Sequence, residues 1–526
     1  MRRRDFLKGL AVSALPMPAI AQGASARTLK VIHASNLATL DPIWTTAPAT
    51  KDYAFMVYDQ LLSVDANYVP RPQMAEGWSV EDDGKTYLLG LRDGLKFHDG
   101  EPVRSQDCIA SIKRWAARDG FGQALGAVIA SMDVVDDRRF RIRLKNRFRL
   151  LPAALGKSNS SQCFIMPERV ANTNPMTQIK EHVGSGPFRF LRDEWVPGAR
   201  AAWAKFEGYA PRQEPVSGIA GGRVARVDRV EWAIIGDAAT ASAAMMRGEH
   251  DYWDQVLFDL IPSMQQNANL VVQSRITGGT YGMLRFNQLH PPFNNPELRR
   301  AVATAVDQSD YMRAIAGDDP ENWAVCNSFF ACETPFASEA GADLLKQKNV
   351  EKAKAMVRAA GYKGERVVQI AATDNSAINA MSQVTQDLLQ RLGFNVDYIA
   401  TDFGTMTQRR VSREPVEKGG WSVFHTSWNN PDIVDPAVNQ MLRANGGAGW
   451  FGWPTDETLE KLRAEWFNAT EPSEQKRIAT EIQVQAFKTL PYIPLGNYMQ
   501  RHAWNKKVTG VFSAPTTVYW NIAKEG

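Results

Sequence analysis

The stretch 84–115, GKTYLLGLRDGLKFHDGEPVRSQDCIASIKRW, constrains the fold more than any other part of this 526-residue chain. Residues 86–91 are apolar-rich, with aromatic and β-branched content, and predict a strand. Arg92-Asp93-Gly94 follows as a tight turn, because Asp-Gly supplies the positive φ that such turns need. Leu95-Lys96-Phe97 alternates over a second short strand, and His98-Asp99-Gly100 turns the chain again. Ser105 is placed to cap a helix whose first turn holds Asp107, a carboxylate that the helix dipole favours there. Cys108, Ile109, Ile112 and Trp115 recur at helical spacing and give that helix a face to bury. The unit is a β-hairpin followed by a helix, and nothing in it is catalytic chemistry.

The residues leading into this unit extend the pattern. Tyr58, Leu61, Leu62, Asp65, Pro72, Gln73, Met74, Ala75, Glu76, Gly77 and Trp78 precede Leu91-Arg92 and Lys96-Phe97-His98-Asp99-Gly100. Together they resemble the signature of the substrate-binding proteins of bacterial ABC importers in the dipeptide/oligopeptide group, solute-binding family 5. Gly184-Ser185-Gly186-Pro187-Phe188 resembles a further family segment, and close backbone approach explains its glycines. Family-like units recur over 227–251, in the helix beginning near Asn295, over 349–362 and at 507–511, so the resemblance runs in order from residue 28 to about 511. It implies an α/β, two-lobe periplasmic binding protein fold of the type II-like, three-subdomain form, with the ligand cleft between the lobes. The implied division is 27–52, 183–275 and 492–526 for lobe I, 53–182 for an extra subdomain of that lobe, and 276–491 for lobe II. Chain crossings are expected near 272–279 and 490–496.

Length and composition agree with such a body. A chain of 526 residues exceeds one core and predicts two or three domains. Residues 1–26 read as a leader: Arg3-Arg4-Asp5-Phe6-Leu7-Lys8 resembles a twin-arginine export motif, an apolar run follows, and Ala19-Ile20-Ala21 and Ala24-Ser25-Ala26 are both suited to cleavage. Without that leader, which holds four basic and one acidic side chain, the chain carries 57 basic against 56 acidic residues. Neither a nucleic-acid partner nor an anionic membrane surface is suggested. The arginines at 138, 139, 141 and 143 alternate on one strand with no aromatic platform beside them, and read as a solvated face. No later run approaches the ~20 apolar residues of a membrane span. Cys326 and Cys332 bound a short loop; they are suited either to a disulfide in an oxidising compartment or to two small buried positions, and the disulfide is the expectation. Cys108 and Cys163 read as core residues.

Motifs of enzymes are not found. There is no G-x-S-x-G elbow, no H-E-x-x-H and no paired C-x-x-C. Gly447-Ala448-Gly449-Trp450-Phe451-Gly452 fits G-x-G-x-x-G, but Trp453-Pro454 follows instead of a helix, so it reads as a loop. Glu249-His250-Asp251 lies on extended chain, where neighbours point to opposite faces, and reads as structural. Residues 211–224 read as an additional Gly/Pro-rich surface loop. No metal ligands, catalytic residues or cofactor are assigned.

The expected activity is therefore binding. The resemblance implies a periplasmic, monomeric receptor that captures a peptide-like or amine-bearing small molecule and delivers it to an ABC permease. In peptide-binding members an acid just after a Trp-containing strand pairs with the ligand's α-amino group, and Asp432 is the matching residue, with Pro431 shifting the spacing by about one position and Asp435 the alternative acid. The implied cleft residues are Asn36, Tyr281, Trp421, Trp428, Asn429, Asn430 and Asp432. Sugar, opine or metal-chelate binding, and an exported enzyme on a similar scaffold, are the alternatives.

Overall fold

Two mixed sheets organise the protein, and a computed structural model describes them over residues 27–525 except 160, 333 and 470. The expected leader lies outside the described residues. The first sheet has seven strands, in the spatial order Phe188–Phe190, Arg200–Lys205, Arg229–Ala233, Thr28–Ile32, Tyr252–Val256, Arg501–Asn505 and Leu270–Ser274. Its central Thr28–Ile32 strand pairs in parallel with neighbours on both sides. The second sheet has six, in the order Trp323–Ala324, Tyr492–Tyr498, Thr280–Phe286, Val423–Asn429, Arg366–Ala372 and Asn395–Thr401. The Ser376–Arg391 helix links the parallel pair Arg366–Ala372 and Asn395–Thr401, as a βαβ crossover requires.

The hairpin-helix unit stands apart on a four-stranded antiparallel sheet, Ala75–Glu81, Thr86–Leu91, Arg139–Leu144 and Ile129–Val134. The Ser105–Ala116 helix buries Cys108, Ile112 and Trp115 in one apolar cluster with Leu89, Phe140 and Ile142. Two local expectations change. Asp107, rather than Ser105, caps the helix: its carboxylate accepts from the Arg104 amide at 2.8 Å and also from the Glu168 amide at 2.7 Å. Residues 95–97 form a single bridge, Lys96 to Pro102, in place of a strand.

Only part of 211–224 is the expected surface loop: 213–215 are exposed, but 218–223 are buried. Ile219 and Arg223 are fully buried, and the Arg223 guanidinium pairs with Asp59 at 2.7 Å while lying over the Trp520 ring at 4.8 Å. A charge this deep needs a fixed counter-charge, which draws the loop inward. The glycines at 184 and 186 follow their expected role: a Cβ at Gly184 would lie 1.9 Å from the Val57 carbonyl, and one at Gly186 2.5 Å from that of Met56. Cys326 and Cys332 are joined in a disulfide with 6.0 Å between their Cα atoms, whereas Cys108 and Cys163 are buried thiols.

Two crossings connect the sheets. The first runs from Ser274 to Thr280, within the expected span. The second lies at Met499–Gln500, later than 490–496, because Tyr492–Tyr498 pairs along Thr280–Phe286 as a strand of the second sheet. The boundary expected at residue 492 moves accordingly, and the first sheet resumes at Arg501. Gly278 sits in the first crossing with φ +76, and a Cβ there would lie 2.4 Å from Cγ of Asn430. Gly278→Ala combines that overlap with an unfavourable backbone region, a cost of about 1–3 kcal/mol. The expected result is a lower denaturation midpoint in urea with an unchanged slope; an unaltered midpoint would show that the crossing relaxes freely.

Candidate functional site

The end of the second sheet nearest the crossings carries the candidate site. Residues directly opposed across antiparallel strands share a face. Tyr281 is opposed by Trp428 on one side and by Asn497 on the other, so these three form a row across three strands. All three are buried. Thr280, Asn429 and Tyr498 form the next row, on the opposite face, and the Thr280 hydroxyl donates to Asn429 Oδ1 at 3.0 Å.

A loop covers the face of the first row. Arg285 lies on that face two turns of the pleat from Tyr281, and its guanidinium donates to the carbonyls of Phe451 at 2.6 Å, Met441 at 2.8 Å, Pro491 at 2.8 Å and Trp450 at 3.2 Å. Burial lowers its pKa to about 9, which leaves it charged at neutral pH. The loop so held places Trp450 edge-to-face against Trp428, with 5.7 Å between ring centroids. A second buried guanidinium, Arg410, lies over the rings of Phe451 at 4.6 Å and Trp450 at 5.2 Å; burial lowers its pKa to about 10.

Beyond Trp428 the chain turns toward the other lobe. The Asn430 amide donates to the Gly279 carbonyl at 3.1 Å, and Nδ2 of Asn430 donates to the Tyr68 hydroxyl at 3.2 Å. Tyr68 belongs to the first-lobe side, so this bond bridges the lobes. Asp432 is 3% exposed. Burial raises the pKa of the Tyr68 phenol, and the charge of Asp432 adds to that rise, which puts the carboxylate close to the same bridge. Trp428 Nε1, Asn430 Oδ1, Trp450 Nε1 and Asn497 Oδ1 are buried without a hydrogen-bond partner among the described residues. Buried polar atoms in this state mark a place where a bound molecule or water completes the bonding. Elsewhere along the seam Phe467 packs on Phe121 and Phe148, at 5.6 and 6.1 Å, and a buried Lys157–Asp119 pair lies within electrostatic reach of Asp435. An open groove of about 630 Å³, lined by Glu214, Phe512 and Asn521 among others, belongs to the first lobe and shares no lining residue with this row.

The structure thus brings together Tyr281, Trp428, Asn430 and Asp432, with Asn429 on the reverse face. Trp421 does not join them. It precedes the opposite end of the Val423–Asn429 strand, roughly 23 Å away at 3.3 Å per residue. There its indole N–H donates to the Arg410 carbonyl at 3.1 Å and its ring packs on Phe424 and Trp453, a core position. Asn36 is exposed, and its Oδ1 accepts from the Gly198 amide at 2.6 Å, which ties it to a turn of the first lobe. Asp435 accepts from the Ala437 and Val438 amides, a turn-forming role. Sequence reasoning missed Asn497, Trp450 and Tyr68. The polar Asn497 within the apolar run 491–498 was the available signal for the first; nothing local marks the other two.

The sequence profile of the bacterial extracellular solute-binding proteins, family 5, matches residues 69–450. The chain belongs to this family. A relative described as a probable peptide ABC transporter periplasmic-binding protein, y4tO of Sinorhizobium fredii, is 37% identical over 530 residues that cover 99% of both chains. Among solved structures, AgaA from A. tumefaciens R10 in complex with agropinic acid has a TM-score of 0.78 at 21% identity, covering 95% of this chain and 99% of its own. A dipeptide-binding protein from Pseudoalteromonas sp. SM9913 in complex with Met-Leu has a TM-score of 0.77 at 20% identity, covering 95% and 100%. The two-lobe α/β fold of this solute-binding protein is therefore the family's own, with the candidate row at the seam between its lobes.

In such a receptor the bond from Asn430 to Tyr68 holds the lobes together. Tyr68→Phe removes one hydrogen bond worth about 0.5–1.5 kcal/mol, so roughly 2- to 10-fold in the equilibrium between closed and open forms. Small-angle scattering of the unliganded variant is expected to give a larger radius of gyration than the parent. Equal radii would remove the bond from any role in closure.

Proposed function

We propose that this solute-binding protein captures a peptide-like or amine-bearing small molecule between its lobes and passes it to the permease of an ABC importer in the bacterial inner membrane. The observation that carries the reading is the row Asn497–Tyr281–Trp428 with the unpartnered Trp428 Nε1 and Asn497 Oδ1, together with the buried Asp432 four residues after Trp428. The flat rings of Tyr281 and Trp428 supply apolar area, and Asn430 and Asn497 offer carbonyl oxygens that accept N–H groups. Asp432 supplies the fixed negative charge that an ammonium group needs once it leaves water. The relative from Sinorhizobium fredii, named as a probable peptide-binding protein, supports the same class of ligand. Delivery follows from lobe closure, since a closed receptor presents a surface that the open one does not. The protein acts in the periplasm as a monomer, after export by the twin-arginine route that its first residues resemble, and it performs no chemistry on its cargo.

A second reading has one observation behind it. AgaA, similar in fold, is in complex with agropinic acid, an acid rather than an amine by its name. Arg410, buried beside Trp450 and Phe451, is the cation available to such a molecule.

Mass spectrometry of the small molecule that copurifies names the ligand, and calorimetry with that molecule tests the role of Asp432. Asp432→Asn is expected to weaken binding more than tenfold, since removing one member of a buried charge pair costs about 2–5 kcal/mol. The melting temperature of the unliganded variant should stay near that of the parent. Binding within threefold of the parent would remove the counter-ion role and favour the second reading.

A further inference from the structure

The first sheet holds a separate cluster of chemistry. His33 follows the Thr28–Ile32 strand, Asp52 lies in the Pro48–Val57 helix and Asp254 in the Tyr252–Val256 strand. All three are buried, and one ligand atom from each lies within 4.8 Å of the other two. Nε2 of His33 stands 3.3 Å from Oδ2 of Asp254 and 3.5 Å from Oδ2 of Asp52.

Every other polar atom of the three is already engaged. Nδ1 of His33 lies 2.8 Å from the Ser35 carbonyl and 3.2 Å from the Ser35 amide, so it is held by backbone, and Nε2 is the nitrogen that faces the carboxylates. Oδ1 of Asp52 accepts from the Thr516 hydroxyl at 3.0 Å, and Oδ1 of Asp254 from the Ala34 amide at 2.8 Å. The Trp232 ring stacks on the imidazole at 3.9 Å and fixes its plane. Among the described residues no lysine or arginine reaches either carboxylate.

Two kinds of cation can sit between such groups. A proton on Nε2 makes a charge-assisted bond of about 2.7–2.9 Å, and both observed separations are longer. A tetrahedral ion with ligands at about 2.0–2.2 Å sets its ligands roughly 3.3–3.6 Å apart, which matches both. The Tyr519 hydroxyl is an independent pointer. It is buried, has no hydrogen-bond partner among the described residues, and lies in the field of Asp254 and Asp52. We propose that His33 Nε2, Asp52 Oδ2 and Asp254 Oδ2 form a structural site for one divalent first-row cation, zinc above others, with the Tyr519 hydroxyl turned toward the fourth position. The imidazole, backed through Nδ1 by a backbone carbonyl, has the outer support that metal-bound histidines have. Such an ion joins a strand end, a helix, a neighbouring strand and the C-terminal segment, and neutralises two carboxylates that no lysine or arginine among the described residues pairs with. The sequence alone assigns no metal ligands at this site. No spacing motif announces it, because its ligands come from three distant segments.

The test uses the mature protein, stripped with a chelator and dialysed against zinc chloride at neutral pH. One equivalent of tightly held zinc is expected, with a higher melting temperature on zinc addition and, with cobalt(II) in its place, the intense visible bands of a tetrahedral centre. Asp254→Asn keeps an oxygen for the Ala34 amide but loses the ligand charge, and zinc affinity should fall roughly 100-fold or more. Glu249→Gln, which alters only an exposed acid near His250, should leave zinc binding unchanged. Absence of stoichiometric zinc in the parent, or equal affinity in Asp254→Asn, overturns the proposal and leaves His33 as a protonated bridge. Should Asp254→Asn fail to fold, the stoichiometry and cobalt spectrum of the parent still decide.

Discussion

A guanidinium in the middle of a sheet has to be satisfied where it stands. Among the described residues Arg285 has no carboxylate partner; four backbone carbonyls, from Met441, Trp450, Phe451 and Pro491, take its protons instead. Those carbonyls come from a long excursion of the second lobe and from the approach to its last long strand. The requirement that one buried charge be fully bonded therefore folds the excursion down onto the sheet. Trp450 arrives against Trp428 as a consequence, and Arg410 closes on the outer side of the same ring. The candidate row of Asn497, Tyr281 and Trp428 has a wall only because Arg285 holds that loop.

The two lobes depend on a different constraint. Gly278 and Gly279 adopt positive φ in the first crossing, and the Asn430 side chain fills the space that a Cβ at Gly278 would occupy. The residue that bridges to Tyr68 is thus packed on the crossing itself. Hinge and lobe contact are coupled by sterics rather than by a long chain of intermediates, so a molecule bound beside Asn430 bears on both at once. Among the described residues the lobes are joined by the crossing segments and by side chains along the seam, among them Phe467 on Phe121 and Phe148.

Much of the site was legible because one strand carries it. The resemblance placed Trp428, Asn430 and Asp432 in one short run, and Tyr281 on a strand of the same lobe; register then set Tyr281 beside Trp428. Trp421 was legible as an aromatic near that strand but not as a core residue. Seven positions along an extended chain carry it away from the seam, and a sequence does not say which strand end faces the other lobe. Asn497 was assigned with the first lobe because its segment is apolar and extended, a description that fits a strand of either sheet.

The sequence by itself determined the Thr86–Leu91 strand and the helix that follows it, most of the order of helices and strands, and the close approach at Gly184 and Gly186. Each of these rests on interactions between residues near in the chain, or on a steric demand that only glycine meets, and such demands are written in local pattern. The tertiary structure alone decided that Tyr492–Tyr498 belongs to the second sheet, that Arg223 draws its loop inside to Asp59, and that Tyr68 meets Asn430 across 362 residues. It alone brought His33, Asp52 and Asp254 within a few ångströms. Pairings of this kind are set by which buried charge or open strand edge finds its complement in space, and that choice depends on every segment between them being folded.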